Sequence, residues 1–241
     1  MAQTKIEWTE MTWNPVTGCD KISSGCMHCY AEVMARRLQA MGQDKYKDGF
    51  KLTLHPDALH EPYKWKKSKV VFVNSMGDLF HKDVPIEYIK KVFRVMKENP
   101  QHVFQVLTKR ADVLRYYDSE DWLEWTHNIW MGVTVENTSV VKRIDLIRAT
   151  KAKVKFLSCE PLISALPNLN LTGIDWLIAG GESGRTPRPM KKEWVEDLQN
   201  QCQKADVAFF FKQWGGTNKK KAGSALNGKL YKEVPQVEFA F

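Results

Sequence analysis

Along this chain, short runs of β-branched and aromatic residues alternate with longer segments whose apolar residues recur at helical spacing. The run Val70-Val71-Phe72-Val73 within Lys69–Asn74 reads as a buried strand. So do Val103–Leu107, Ile129–Val135, Val154–Ser158, Trp176–Ala179 and Val207–Lys212, with a shorter strand at Met11–Trp13. Between them, Ile86–Glu98 puts Ile89, Val92, Phe93 and Met96 on one face, and Pro85 suits its first turn. In Tyr30–Met41 the apolar positions Val33, Met34, Leu38 and Met41 keep helical spacing. Helices are also expected over Ser139–Ala149 and Lys192–Lys204.

Strands followed by helices, six or seven times over, predict an α/β fold: a partial or full (β/α)6–7 TIM-like barrel with mainly parallel strands. Residues 1–215 would form this barrel. Residues 216–241 would form a C-terminal basic tail or extension, solvated around Lys219-Lys220-Lys221, with a small hairpin near Gly228. In such barrels the chemistry collects where strands end. Here every strand end carries polar groups: Asn74, Ser75, Gly77 and Asp78; Thr108, Lys109 and Arg110; Glu136 and Asn137; Ser158 and Glu160; Gly180, Gly181, Glu182 and Ser183; Lys212, Gln213 and Trp214.

Composition sharpens this picture in two places. The net charge of +8 favours a polyanionic partner such as nucleic acid, against the plainer alternative of a generally basic protein. Of five cysteines, Cys19, Cys26 and Cys29 lie close together, while Cys159 and Cys202 stand apart. An odd, clustered set points to metal or redox chemistry rather than a disulfide framework. No stretch approaches the roughly 18–20 apolar residues of a membrane span, and Met1–Glu10 has no apolar run resembling a signal peptide, so a cytoplasmic protein is expected.

The cysteines form Cys19-x6-Cys26-x2-Cys29 on a loop bearing Gly18 and Gly25. Three thiolates converging on an iron–sulfur cubane leave one iron open. Zinc would accept the same three, with His28 or another histidine as fourth ligand, although no second close ligand pair is evident and His28 between two cysteines is a poor co-ligand. An unmetallated loop is the remaining alternative.

A three-cysteine loop after the first strand of a (β/α) barrel resembles the radical S-adenosylmethionine superfamily. That resemblance implies a [4Fe–4S] cluster on Cys19, Cys26 and Cys29, with S-adenosylmethionine bound to the open iron. One electron then cleaves the sulfonium, and the resulting 5′-deoxyadenosyl radical abstracts a hydrogen atom from the substrate. The superfamily's commonest spacing is Cys-x3-Cys-x2-Cys, and this chain keeps the second interval but lengthens the first. The motifs Trp13-Asn14-Pro15, Cys26-Met27-His28-Cys29-Tyr30, Ser75-Met76-Gly77-Asp78-Leu79-Phe80, Leu107-Thr108-Lys109-Arg110, Gly132-Val133-Thr134-Val135-Glu136-Asn137, Ser158-Cys159-Glu160-Pro161 and Gly180-Gly181-Glu182-Ser183-Gly184 resemble a family of three-Cys-motif phage proteins, also carried by bacteria, whose function is unknown.

The superfamily resemblance also implies roles. Ser75, Gly77 and Asp78 would receive the methionine amino group, and Glu136 and Asn137 the ribose or carboxylate. A reductant of flavodoxin or ferredoxin type would be a partner. From the residues themselves, Lys109 and Arg110 could bind a carboxylate or phosphate, or form surface salt bridges. Gly180 and Gly181 could cradle adenine and place Glu182 in the cavity, or form a flexible turn. Asp78 could equally be a local cap. Glu160 and Glu182 are candidate catalytic groups, and Cys159 is a candidate hydrogen donor or a small buried side chain. Two other functions compete with the radical enzyme: a non-catalytic zinc or iron–sulfur protein that binds nucleic acid, and a hydrolase using its strand-end acids to hold Mg²⁺, which leaves the cysteines unexplained.

Overall fold

The computed structural model describes residue 4 and residues 6–236. Seven strands form one sheet in chain order: β1 (Met11–Trp13), β2 (Val70–Val73), β3 (Val103–Thr108), β4 (Ile129–Thr134), β5 (Val154–Cys159), β6 (Trp176–Gly180) and β7 (Ala208–Gln213). Every neighbouring pair is parallel. Parallel neighbours need crossovers, and the helices supply most of them. They are α1 (Tyr30–Ala40) after β1, α2 (Ile86–Glu98) after β2, α3 (Ala111–Ser119) after β3, α4 (Arg143–Arg148) after β4 and α5 (Lys192–Ala205) after β6. The chain between β5 and β6 crosses without a helix. No pairing joins β7 back to β1 among the described residues, so the barrel is partial: a curled half-barrel.

Alternation along the strands sorts the core into two layers. One face packs on the helices: Val71 and Val73, Phe104 and Val106, Met131 and Val133, Leu157 and Cys159, and Phe209 and Phe211 meet Ile89, Val92 and Phe93 of α2, Leu114 of α3, Ile144 and Ile147 of α4, and Val195 and Leu198 of α5. The other face carries Phe72, Val103, Trp130, Val154, Phe156, Trp176, Ile178 and Phe210, closed by Trp8 from the segment before β1. Trp8 meets Phe72, Phe156 and Trp176 at centroid distances of 4.6, 6.5 and 6.2 Å. The half-barrel is therefore floored by aromatic rings, and a hollow of about 380 Å³ beside Trp8, Trp130 and Phe210 lies at the start of the strands.

After β7 the chain makes a helical turn at Lys219–Ala222 and then the hairpin expected near Gly228, pairing Ala225–Leu226 with Lys229–Leu230. It then returns to the sheet: Phe211 N–H donates to Tyr231 O (2.9 Å), and Glu233 N–H donates to Phe209 O (3.2 Å). Lys232 reaches across to Glu7 (2.6 Å), joining the segment before β1 to the segment after β7.

Two readings are corrected. The helix expected over Ser139–Ala149 is a 3-10 turn at Thr138–Val140 followed by the six residues of α4. Within α1, Val33, Met34 and Met41 face solvent, and the buried positions are Ala31 and Ala35. Among the described residues, no helix is long and apolar enough to cross a membrane.

Candidate functional site

The site grows from the end of β1. Asn14 Oδ1 accepts from Met76 N–H (3.0 Å) and Ser75 Oγ (3.2 Å), and Asn74 Oδ1 accepts from Val16 N–H (3.1 Å), so the exits of β1 and β2 are tied together. Gly18 then turns with a φ of +83° and donates to Met76 O (2.8 Å). A Cβ there would lie 2.1 Å from Lys51 O, which leaves only glycine at this turn. Cys19 follows at once, and Gly77 lies beside Gly18 in a parallel bridge.

From Cys19 to Tyr30 the loop is held by groups from one strand end after another. After β2, Ser75 O accepts from Tyr30 Oη (2.5 Å), and buried His81 faces Asp20 Oδ2 with Nε2 at 3.0 Å. His81 Nδ1 accepts from Asp83 N–H (3.2 Å), and its buried Nε2 makes no hydrogen bond. After β3, Arg110 Nη2 reaches Cys19 Sγ at 3.9 Å. After β4, Glu136 Oε1 accepts from Gly25 N–H (3.3 Å), and Asn137 Nδ2 donates to Ser24 Oγ (2.7 Å). After β6, Glu182 Oε2 meets His28 Nδ1 at 2.9 Å, and Arg188 Nη1 donates to Ser24 O (2.9 Å). Of the strand-end residues singled out by position, Ser75, Arg110, Glu136, Asn137 and Glu182 thus touch the cysteine loop.

Each acid has its own environment. Asp78 is buried and accepts from Thr108 Oγ1 (2.7 Å), Phe80 N–H (3.0 Å) and Lys109 N–H (3.2 Å), with Arg110 Nε 3.9 Å away. Glu136 is fully buried and pairs with Arg143 (2.9 Å). Burial raises its pKa, but Lys109, Ser23 and Arg143 outweigh it and hold the carboxyl below its ordinary value. Glu182 accepts from Arg188 Nε (3.0 Å), Arg188 N–H (2.9 Å) and Arg188 Nη2, in addition to meeting His28. Burial again acts upward, yet the Arg188 and His28 hydrogen bonds bring Glu182 down to about 2. Glu160 lies across the mouth of the half-barrel, paired with Lys212 at 3.0 Å. A Cβ on Gly180 would come within 2.5 Å of Glu160 Oε1, so the bare backbone makes room for that carboxylate. The Cβ of Gly181 would fall 2.0 Å from Trp214 O, a contact made with the exit of β7 rather than with open space.

Cys159 lies elsewhere. It is fully buried on the helix side of the sheet, and burial pushes its thiol well above the ordinary value. The small-side-chain alternative describes that position. Sequence reasoning missed Tyr30 and Arg188 as site groups, weighed His28 only as a zinc ligand, and had Lys212 among the strand-end polar groups. Arg188 carried one usable signal, since Pro187 and Pro189 on either side restrict its backbone.

The donor set fits an iron–sulfur cluster. The three cysteines of this loop are all free and partly exposed. Burial, followed by the charge of Asp78, pushes the Cys19 thiol up to about 11, so it is no free thiolate nucleophile, whereas a coordinated metal would deprotonate it. Beside it, Arg110 brings Nη2 to Cys19 Sγ, while its buried Nε, 3.9 Å from Asp78 Oδ2, has no hydrogen-bond partner.

Residues 3–235 match the family model described as Protein of unknown function (DUF5131). No curated protein matches the chain. Among solved structures, a cysteine-substituted spore photoproduct lyase is similar over 85% of this chain and 75% of its own, at 12% identity and a TM-score of 0.52. A spore photoproduct lyase complexed with dinucleoside spore photoproduct gives 84% and 63%, 11% identity and 0.49. Another variant, with bound AdoMet and the same dinucleoside, gives 84% and 63%, 10% and 0.48. The chain thus spans 63% of the length of these latter two, and at such identities the likeness is one of fold. The match over nearly the whole sequence shows that this chain belongs to the family of proteins of unknown function DUF5131.

Proposed function

We propose that this chain is a radical S-adenosylmethionine enzyme acting on a nucleic-acid or nucleotide substrate. One observation carries the reading: a three-cysteine loop held by polar groups from the ends of β2, β3, β4 and β6 of a parallel half-barrel. The fold likeness to spore photoproduct lyase, itself a radical S-adenosylmethionine enzyme, is in keeping with it.

Cys19, Cys26 and Cys29 would hold a [4Fe–4S] cluster, and with S-adenosylmethionine bound it would supply hydrogen-atom abstraction. The protein's own groups do the rest. Asp78, fixed by Thr108, Phe80 and Lys109, presents a carboxylate for the methionine ammonium, and Ser75 and Gly77 let backbone approach. Arg110 brings its guanidinium Nη2 to Cys19, and Lys109 lies close enough to Glu136 to lower its pKa. Gly180 and Gly181 shape the wall opposite. The Glu160–Lys212 pair at the mouth is placed to orient a substrate and to move a proton. The basic charge, with exposed Arg185, Lys191 and Lys192 after β6, supports an anionic substrate.

The test is anaerobic purification with iron, sulfide and zinc analysis, followed by EPR of the reduced protein with and without S-adenosylmethionine. A [4Fe–4S]⁺ signal that changes on adding the cofactor is expected. Stoichiometric zinc with neither iron nor sulfide would refute the proposal in favour of a non-catalytic zinc protein.

A further inference from the structure

The hollow in the floor of the half-barrel lies at the opposite end of the strands from the cysteine loop. Its volume of about 380 Å³ is within the range of small-molecule sites, and Trp8, Gln105, Trp130 and Phe210 are on its wall. Gln105 of β3 is the register partner of Phe72 on β2 and of Trp130 on β4, both members of the inner aromatic layer. Its amide Nε2 donates to Trp8 O (3.2 Å), so Gln105 links the two tryptophans. Each of these three residues carries a polar atom with no partner among the described residues: the indole N–H of Trp8, the indole N–H of Trp130 and Gln105 Oε1. The residues are 5%, 5% and 1% exposed, so bulk water does not serve those atoms. Of seven such side-chain atoms among the described residues, three meet at this hollow. Buried polar groups are ordinarily paired, and orphans gathered on one wall mark a place for a polar guest.

The rest of the wall says what kind of guest fits. Lys232 Nζ meets Glu7 (2.6 Å), donates to Phe211 O (2.8 Å) and lies 4.6 Å from the centroid of the Phe210 ring. Glu10 accepts from Val70 N–H (2.8 Å), and Thr9 Oγ1 donates to Val70 O (3.1 Å). The charged groups of the wall are thus engaged, and a phosphate or carboxylate would find no free cation there, so the complement is neutral. Two indole donors linked through an amide acceptor call for a ligand edge that reads acceptor, donor, acceptor. Two carbonyls on either side of an N–H, as in a cyclic imide, supply that edge, and the aromatic rings beside it suit a flat molecule.

We propose that the floor of the half-barrel binds a small neutral heterocycle with an imide edge, its carbonyls accepting from the indoles of Trp8 and Trp130 and its N–H donating to Gln105 Oε1. Each of the three protein atoms is covered by its neighbours, so entry of the ligand includes a shift of the side chains that line the hollow. This site does not rest on the radical reading, since it uses no residue of the cysteine loop and none of the strand ends.

Uracil is the probe and cytosine the control, because cytosine presents donor, acceptor, acceptor along the same edge. Both are titrated into the full-length protein, isotope-labelled at the tryptophan indole nitrogens and followed by NMR. The signals of Trp8 and Trp130 are identified through Trp8→Phe and Trp130→Phe, with circular dichroism confirming the fold of each variant. Uracil should move both signals in a saturable manner, and cytosine should move neither. Trp130→Phe keeps a ring at that position but removes the donor, and should weaken uracil binding about three- to tenfold. No movement of either signal at millimolar uracil overturns the proposal, and ordered water then pairs the three groups. Equal movement with cytosine overturns the imide edge. Uracil that binds while both signals stay in place sits elsewhere, and binding that Trp130→Phe leaves intact does not use that indole; each refutes the site. The iron and sulfide content of the protein enters none of these outcomes, so the fate of the radical reading is decided separately.

Discussion

Replacing Arg188 by alanine tests how the cysteine loop is fastened. The guanidinium makes two side-chain contacts with Glu182, through Nε and Nη2, and a third with Ser24 O at 2.9 Å. In Arg188→Ala the Glu182 carboxylate, with a side chain only 3% exposed, keeps His28 and the backbone N–H of residue 188. A hydrogen bond to a charged group contributes about 1.5–3 kcal/mol, and Arg188 is 24% exposed, so solvent partly replaces it; the expected loss is about 2–3 kcal/mol. For a chain of this size that corresponds to a fall in Tm of roughly 5–10 °C by calorimetry. Adding Glu182→Gln removes the stranded charge and should restore about half of the loss. The pH dependence has a definite sign. Folding lowers the Glu182 pKa from 4.5 to about 2, so its contribution is fully present above about pH 4.5 and drains away as pH falls toward 2. Glu182→Gln should therefore flatten that part of the stability profile. An Arg188→Ala variant within about 1 °C of wild type, or a double variant that loses as much again, would refute this reasoning.

Other outcomes are expected. Gly132→Ala would put a Cβ 2.3 Å from the buried Phe156 ring and should cost about 1–3 kcal/mol by urea unfolding. Arg143→Ala strands Glu136, which is fully buried, and should cost about 3–5 kcal/mol, with part recovered by Glu136→Gln. Cys26→Ala should abolish most iron and sulfide after anaerobic purification, whereas Cys202→Ala, in the core of α5, should leave both and lower the Tm. Lys212→Met breaks the 3.0 Å pair with Glu160 and should impair substrate processing while leaving cluster content and the EPR spectrum of the reduced protein unchanged.

The sheet was readable from the sequence because its strands are buried on both faces, so each appears as an unbroken apolar run such as Val70–Val73. The α2 helix was equally plain, with its apolar residues all turned to one core. The α3 helix was not, since Ala111–Ser119 begins three residues after β3 ends and buries only Ala111, Leu114 and Asp118. In α1 the periodicity was real but belonged to the outer face; small residues let that helix lie close to the Met76 segment, and periodicity alone does not say which side is wet. The polar strand ends were visible as candidates, and their positions followed from the fold. Their partners were not visible, because His28–Glu182 joins residues 154 positions apart and Gly25–Glu136 residues 111 apart, and no local pattern encodes such pairs.

The Glu7–Lys232 bridge has a mechanical consequence. A half-barrel has two free margins, and any widening of the cavity must come from their moving apart. At the floor those margins are clasped, because the lead-in to β1 and the run-out from β7 hold each other there, with Trp8 wedged beneath the sheet. At the rim the cysteine loop is tied in turn to the exit of β6 by His28–Glu182 and Arg188–Ser24, so the sheet is held closed at both ends, and a bulky guest can widen the lumen only by releasing one set of ties.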